Sequence, residues 1–159
     1  MADSLILTHL DALATFPDEL KRTLRGLNDD ALRHRPAAGA WSAIETVGHI
    51  VEVEAIWAGR FRQMLAAEHP TFPAYNPDEA VQQRDYQNKQ PSGLLIAFAE
   101  QRAEQVAFLR ILRPAQLART GVHPTRGVIS VADGIAILAN HDRAHSQQIA
   151  AAIAAQQPS

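Results

Sequence analysis

Residues 42–65 read SAIETVGHIVEVEAIWAGRFRQML, and the fold follows from how this stretch is read. Ser42 and Glu45 form an S-x-x-E box. In it the hydroxyl takes the amide of residue 45, and the carboxylate reaches back to the amide of residue 42. From that start Val47, Ile50, Val51, Trp57, Phe61 and Leu65 recur at helical spacing, until His69 and Pro70 close the run. His49 shares a row with Val53 and Ile56, so its ring leans inward. A long one-sided helix must bury that face against other helices.

Working outward, the same period recurs three more times. Ile6, Leu10, Leu13, Phe16, Leu20, Leu24 and Leu27 mark a first long helix, with Pro17 inside it predicting a kink or a break. Gly26 offers its stop, and Asn28-Asp29-Asp30 can open a short extra turn before Pro36. Residues 70–92 are polar and proline-rich. There Asn76-Pro77-Asp78-Glu79 opens a short surface helix to about Asn88, and Pro91-Ser92-Gly93 interrupts it. A third long helix carries Leu95, Ala99, Val106 and Leu109 and stops at Arg113-Pro114. The stretch from Ala115 to Ile129 reads as a loop. A fourth long helix opens at Ser130 with Asp133 three residues on, and puts Leu138, His141, His145 and Ile149 on its inward row. Strand signals are nearly absent. The expected fold is all-α: one antiparallel four-helix bundle domain over 1–159, with long connections and no internal repeat.

Composition narrows the function. The chain of 159 residues is 47% hydrophobic and 20% charged, an ordinary balance for one globular domain with a sizeable core. A net charge of -2 and a pI near 6.4 offer no long-range attraction to nucleic acid or anionic lipid. Met1 to Leu20 holds no Lys or Arg, and no run of eighteen apolar residues occurs, so a cytoplasmic protein without a membrane partner is expected. Cysteine is absent, which excludes disulfides, thiolate nucleophiles and Cys-type zinc sites; any thiol chemistry needs a thiol from outside. The seven histidines are then the available imidazole ligands.

His141 and His145 are four residues apart, one above the other on a helix face, where two imidazoles can converge on an ion. His49, taken alone, reads as a hydrogen-bonded core histidine at least as readily as a third ligand. Glu45 and Glu52 flank it at helical spacings, either as acceptors that orient its ring or as solvated charges. Asp142 stands where H-E-x-x-H places a general base, but Asp is shorter and a surface position is expected. His123 lies in a loop that the bundle can bring to the open end of a site, to contact substrate or add a fourth ligand, although a loop histidine before proline is more often simply exposed. His9, His34 and His69 have no convergent partner, and Trp41 and Trp57 read as core or interface anchors.

Trp41-Ser42-x-x-Glu45-x-x-Gly48-His49, the loop His123-Pro124-x-x-Gly127 and the run from Asn140 through His141 and His145 to Ile149 resemble the DinB-like superfamily. The resemblance covers most of the chain. It implies a four-helix bundle, often a homodimer, with a divalent transition metal held by one histidine of the second helix and an H-x-x-x-H of the fourth. On this match the ligands are His49, His141 and His145. Zinc and nickel are the expected ions, although iron, cobalt and copper also accept such a donor set. Members include thiol-dependent S-transferases and a thiol-dependent isomerase. The resemblance thus implies S-transferase-like chemistry on a small molecule with a low-molecular-weight thiol as cosubstrate. The alternatives are a metal-dependent hydrolase and a non-enzymatic, metal- or small-molecule-binding stress-response bundle. No catalytic residue beyond the ligands is assigned.

Overall fold

The computed structural model describes residues 3–156; the ends of the 1–159 domain expectation lie outside them. Four long helices form the bundle: α1 (Ser4–Leu24), α3 (Ala43–Ala66), α5 (Pro91–Arg110) and α7 (Val131–Ala154). Short elements fill the connections. These are α2 (Asp29–Arg33), α4 (Pro77–Arg84), a 3-10 turn (Tyr86–Asn88), α6 (Pro114–Leu117) and a hairpin of β1 (Thr120–His123) and β2 (Gly127–Ser130).

The helix starts follow the sequence chemistry. Ser42 Oγ accepts from the Glu45 amide at 3.4 Å while Glu45 Oε2 accepts from the Ser42 amide at 2.9 Å. Ser130 and Asp133 repeat the exchange at the start of α7, at 3.0 and 2.8 Å. α1 ends ahead of Gly26, whose φ of 83° is a left-handed conformation that favours glycine.

The long helices pack in a ring, α1 beside α5 and α7, and α3 beside α5 and α7. Asp11 pairs with Arg110 and Phe16 packs on Phe98, so α1 and α5 are antiparallel. Trp57 and Phe61 face Gly134 while His49 faces His141 and His145, so α3 and α7 are antiparallel too. One core cluster holds Leu13, Val53, Val106 and Leu138; the other holds Leu20, Ile50, Phe98 and Ile149. Both α3 and α5 therefore run from the second cluster to the first, and α1 and α7 from the first to the second. The bundle is up, down, down, up, with two antiparallel and two parallel neighbouring pairs. Successive parallel helices need a long return, and residues 67–90 provide it.

Two local expectations are corrected, and a third, the kink or break at Pro17, is narrowed by the exclusion of a break. α1 runs through Pro17 without a break. Proline cannot donate to the carbonyl four residues back, and that carbonyl, Leu13 O, instead accepts from Arg102 of α5 at 3.0 Å. α5 begins at Pro91 rather than beyond it, because a first-turn proline has no intrahelical bond to lose. Within the expected loop 115–129, β1 and β2 pair from Thr120–Ser130 to His123–Gly127. Gly127 takes φ 75° at the turn, and the chain at Phe72 docks on the outer edge through Phe72 N to Val122 O at 3.0 Å. No described helix is long and apolar enough to cross a membrane.

Candidate metal centre

His49 lies on the buried face of α3, one turn after the capping box, and is 3% exposed. His141 and His145 stand on consecutive turns of α7, which lies antiparallel to α3, so all three rings meet between the two helices. Ring centroids lie 5.0 Å apart for His49 and His141, 4.6 Å for His49 and His145, and 4.3 Å for His141 and His145. One nitrogen from each ring falls within 4.8 Å of the others, and the Nε2 atoms of His49 and His141 are 2.9 Å apart.

The outward nitrogens show how the rings are set. His145 Nδ1 lies 2.8 Å from Gln148 Oε1, an acceptor, so Nδ1 carries the hydrogen and Nε2 keeps its lone pair. His49 Nδ1 lies 3.4 Å from the Tyr75 hydroxyl, which in turn donates to Glu52 Oε2 at 3.2 Å. That relay leaves His49 Nε2 free to coordinate. His141 Nδ1 is buried and has no partner among the described residues. Burial foremost, with the neighbouring imidazoles second, lowers His49 to about 4 and His141 to about 2; burial lowers His145 also. All three are thus neutral at pH 7, the form that ligates a metal. Neutral ring nitrogens this close to one another suit an ion at roughly 2.0–2.1 Å from each. The residues fit the group.

The histidines open on a cleft of about 430 Å³. Trp41 and Trp57 line it; Trp41 packs 4.9 Å from the His49 ring and stacks 6.1 Å from His145. Trp57 is the core anchor expected of it, whereas Trp41 is a wall of the site. His123, at the end of β1, reaches the same cleft and stacks 6.1 Å from Trp57. His9, His34 and His69 stay outside; His69 bonds Thr120 on the surface.

The acidic residues divide differently from the sequence expectation. Glu45 does not reach His49; it is buried in the capping box and paired with Arg35. Glu52 reaches His49 only through Tyr75, and also accepts from Tyr86 and Arg84. Asp142 is not a surface residue. It is 4% exposed and takes both Arg102 terminal nitrogens, at 2.7 and 3.2 Å, while Glu54 binds the same guanidinium. Burial, reinforced by Glu54, pushes the Asp142 carboxyl up to about 6 against the pull of Arg102. It is turned to Arg102 rather than to the cleft, and among the described residues no carboxylate lines the cleft. Tyr75, Gln148 and Arg60 were not singled out from sequence. Tyr75 sits in an aperiodic proline-rich connection, but Gln148 is one turn beyond His145, and Arg60 continues the His49–Val53–Ile56 row.

The DinB superfamily model matches residues 12–149. A protein of Oceanobacillus iheyensis named "Putative metal-dependent hydrolase" is 30% identical over 145 residues, covering 91% of this chain and 83% of its own length. Among solved structures, YfiT from Bacillus subtilis, described as "a probable metal-dependent hydrolase with an unusual four-helix bundle topology", superposes with a TM-score of 0.89. It is 23% identical, with 96% of this chain and 87% of that chain covered. A mycothiol-dependent maleylpyruvate isomerase superposes with a TM-score of 0.72 at 9% identity, covering 91% of this chain and 60% of that one. At these identities the two structures speak to the fold alone. The family match spans nearly the whole described bundle and includes all three converging histidines, and on it the chain belongs to the DinB superfamily.

Proposed function

We propose that this protein is a metal-dependent enzyme acting on a small molecule, with His49, His141 and His145 holding one divalent ion, zinc or nickel foremost. The observation that carries the reading is the convergence of three neutral imidazoles, two with their tautomers fixed from outside, at the wall of an open cleft. A divalent ion held by three histidines with a position left open supplies Lewis acidity and makes a water or a thiol there far more acidic. The chain's own part is to hold and orient the rings and to surround the open side with Trp41, Trp57, Ile56 and Ile137, an apolar wall that limits water.

The finer reading is S-transferase-like chemistry with a low-molecular-weight thiol brought in from outside. What supports it is the likeness to a mycothiol-dependent isomerase. The absence of cysteine from the chain, and of any carboxylate from the described lining of the cleft, is compatible with it and equally with hydrolysis by an ion-activated water. Hydrolysis is the second reading, favoured by what the relatives are named.

The test is turnover by zinc- or nickel-loaded protein, offered an aryl halide with each of several small thiols, and separately an activated ester without thiol. Metal-dependent thiol consumption, abolished in His141→Ala, is the expected result. Ester cleavage without thiol makes the protein a hydrolase. Turnover of neither leaves a binding protein and overturns the enzymatic reading.

A further inference from the structure

Arg60 is the unexplained charge of the molecule. It is 8% exposed, yet among the described residues it makes no ion pair and no hydrogen bond. Arg102, buried more deeply still at 1% exposed, is matched by two carboxylates. An unpaired guanidinium in a low-dielectric site is costly to keep, and burial accordingly lowers its pKa. The side chain is held by rings, 4.9 Å from the Trp57 centroid and 5.4 Å from that of Phe72. Rings take the flat face of a guanidinium and leave its N–H edge for something else.

Besides bordering a neighbouring cleft formed with Phe72, Pro73 and Tyr75, Arg60 lines the cleft of the metal centre together with the histidines. Arg126 and His123 line the same wall, and both arginines act electrostatically on His123. Two arginines and, among the described residues, no carboxylate stand in the lining, so the charges on the cleft wall itself are positive before any ion is added. The remaining wall is largely apolar and aromatic.

We propose that Arg60 is the anchor of an oxyanion subsite, and that the ligand of this cleft is a small organic carboxylate with an apolar body. Its carboxylate lies on the guanidinium fork and its other end reaches toward the histidines. A planar carboxylate matches the fork in two parallel hydrogen bonds, and a monoanion costs less to desolvate than a phosphate dianion. The proposal deepens the reading of the cleft as a substrate site and rests on it for the role of the ligand, but binding at Arg60 requires no metal.

Both tryptophans of the chain, Trp41 and Trp57, line the cleft, so intrinsic fluorescence reports its occupancy. Metal-free and zinc-loaded protein are titrated with 3-phenylpropionate, with its neutral amide, and with inorganic phosphate. In the metal-free protein the acid binds at least about tenfold more tightly than the amide, the scale of a charge-assisted pair. Arg60→Gln removes that preference and leaves amide binding unchanged. Arg60→Lys, which keeps the charge without the fork, retains part of it. Should Arg60→Gln fail to fold by circular dichroism, the wild-type acid–amide comparison and Arg60→Lys decide. Equal binding of acid and amide overturns the subsite, as does an undiminished preference in either variant. A preference seen only with zinc present assigns the carboxylate to the ion and also overturns it. Phosphate competing as well as the acid overturns the carboxylate assignment. If zinc does not bind at all, the metal reading fails while the metal-free titration still tests Arg60.

Discussion

At the scale of single residues, the three imidazoles are held neutral by burial, which has a consequence for acid stability. Their folded-state pKa values lie below the ordinary histidine value of about 6.5, at about 4 for His49 and about 2 for His141. As pH falls below that ordinary value, the unfolded chain takes up protons that the folded chain refuses. Stability present above it is therefore lost on acidification. Asp142 works the other way, since its raised pKa of about 6 favours the folded state as pH falls toward the usual aspartate range. Three histidines outweigh one aspartate. Metal-free protein should show a flat Tm above pH 7 that declines between pH 6.5 and 4, and His141→Phe should flatten the decline; a Tm that rises on acidification contradicts the assignment. The histidine pair was legible from spacing alone, and His49 became a ligand candidate through the family resemblance. Asp142 was misread because, too short for the H-E-x-x-H role, it was left to the surface by default. Its spacing from Ile135, Leu138 and Ile149 places it on the buried row, where an acid needs a buried cation.

At the scale of elements, the centre depends on how closely α7 approaches α3. Gly134 sits where a Cβ would meet the Trp57 ring at 2.7 Å and the Phe61 ring at 2.8 Å. Adding a side chain there pushes the helices apart about two to three turns from the histidines. Gly134→Val should cost about 1–3 kcal/mol by overpacking and lower the Tm by several degrees. It should also weaken zinc binding, which calorimetry would detect; unchanged stability and affinity would show the approach to be slack. The long helices were readable because each carries a sustained period, and α3 and α7 open on a capping box besides. The hairpin was not, since four-residue strands are too short for alternation to stand out. Nor could Pro17 be judged locally, because the group that replaces its missing bond comes from Arg102, far along the chain.

At the scale of the whole molecule, one side chain touches all four long helices. Arg102 of α5 binds Glu54 of α3, Asp142 of α7 and the Leu13 carbonyl of α1, and is itself 1% exposed. Arg102→Leu strands two buried carboxylates and should cost about 3–5 kcal/mol, seen as a fall in the denaturant midpoint. A loss below about 1 kcal/mol would mean that the network is incidental. The four-helix architecture could be read from periodicity, but its up-down-down-up order could not, because amphipathic patterning does not say which helices become neighbours. The long connections were the available clue. The order matters to function: it lays α7 antiparallel against α3, and only that places His49 opposite His141 and His145. The central claim is that these three rings share one ion. It is tested most directly by elemental analysis of dialysed, zinc-loaded wild-type protein beside His49→Ala and His141→Ala. About one ion per chain is expected in the wild type, with most of it lost in each variant while helicity is kept. A wild type without zinc, or a His49→Ala protein that retains it, would contradict the account.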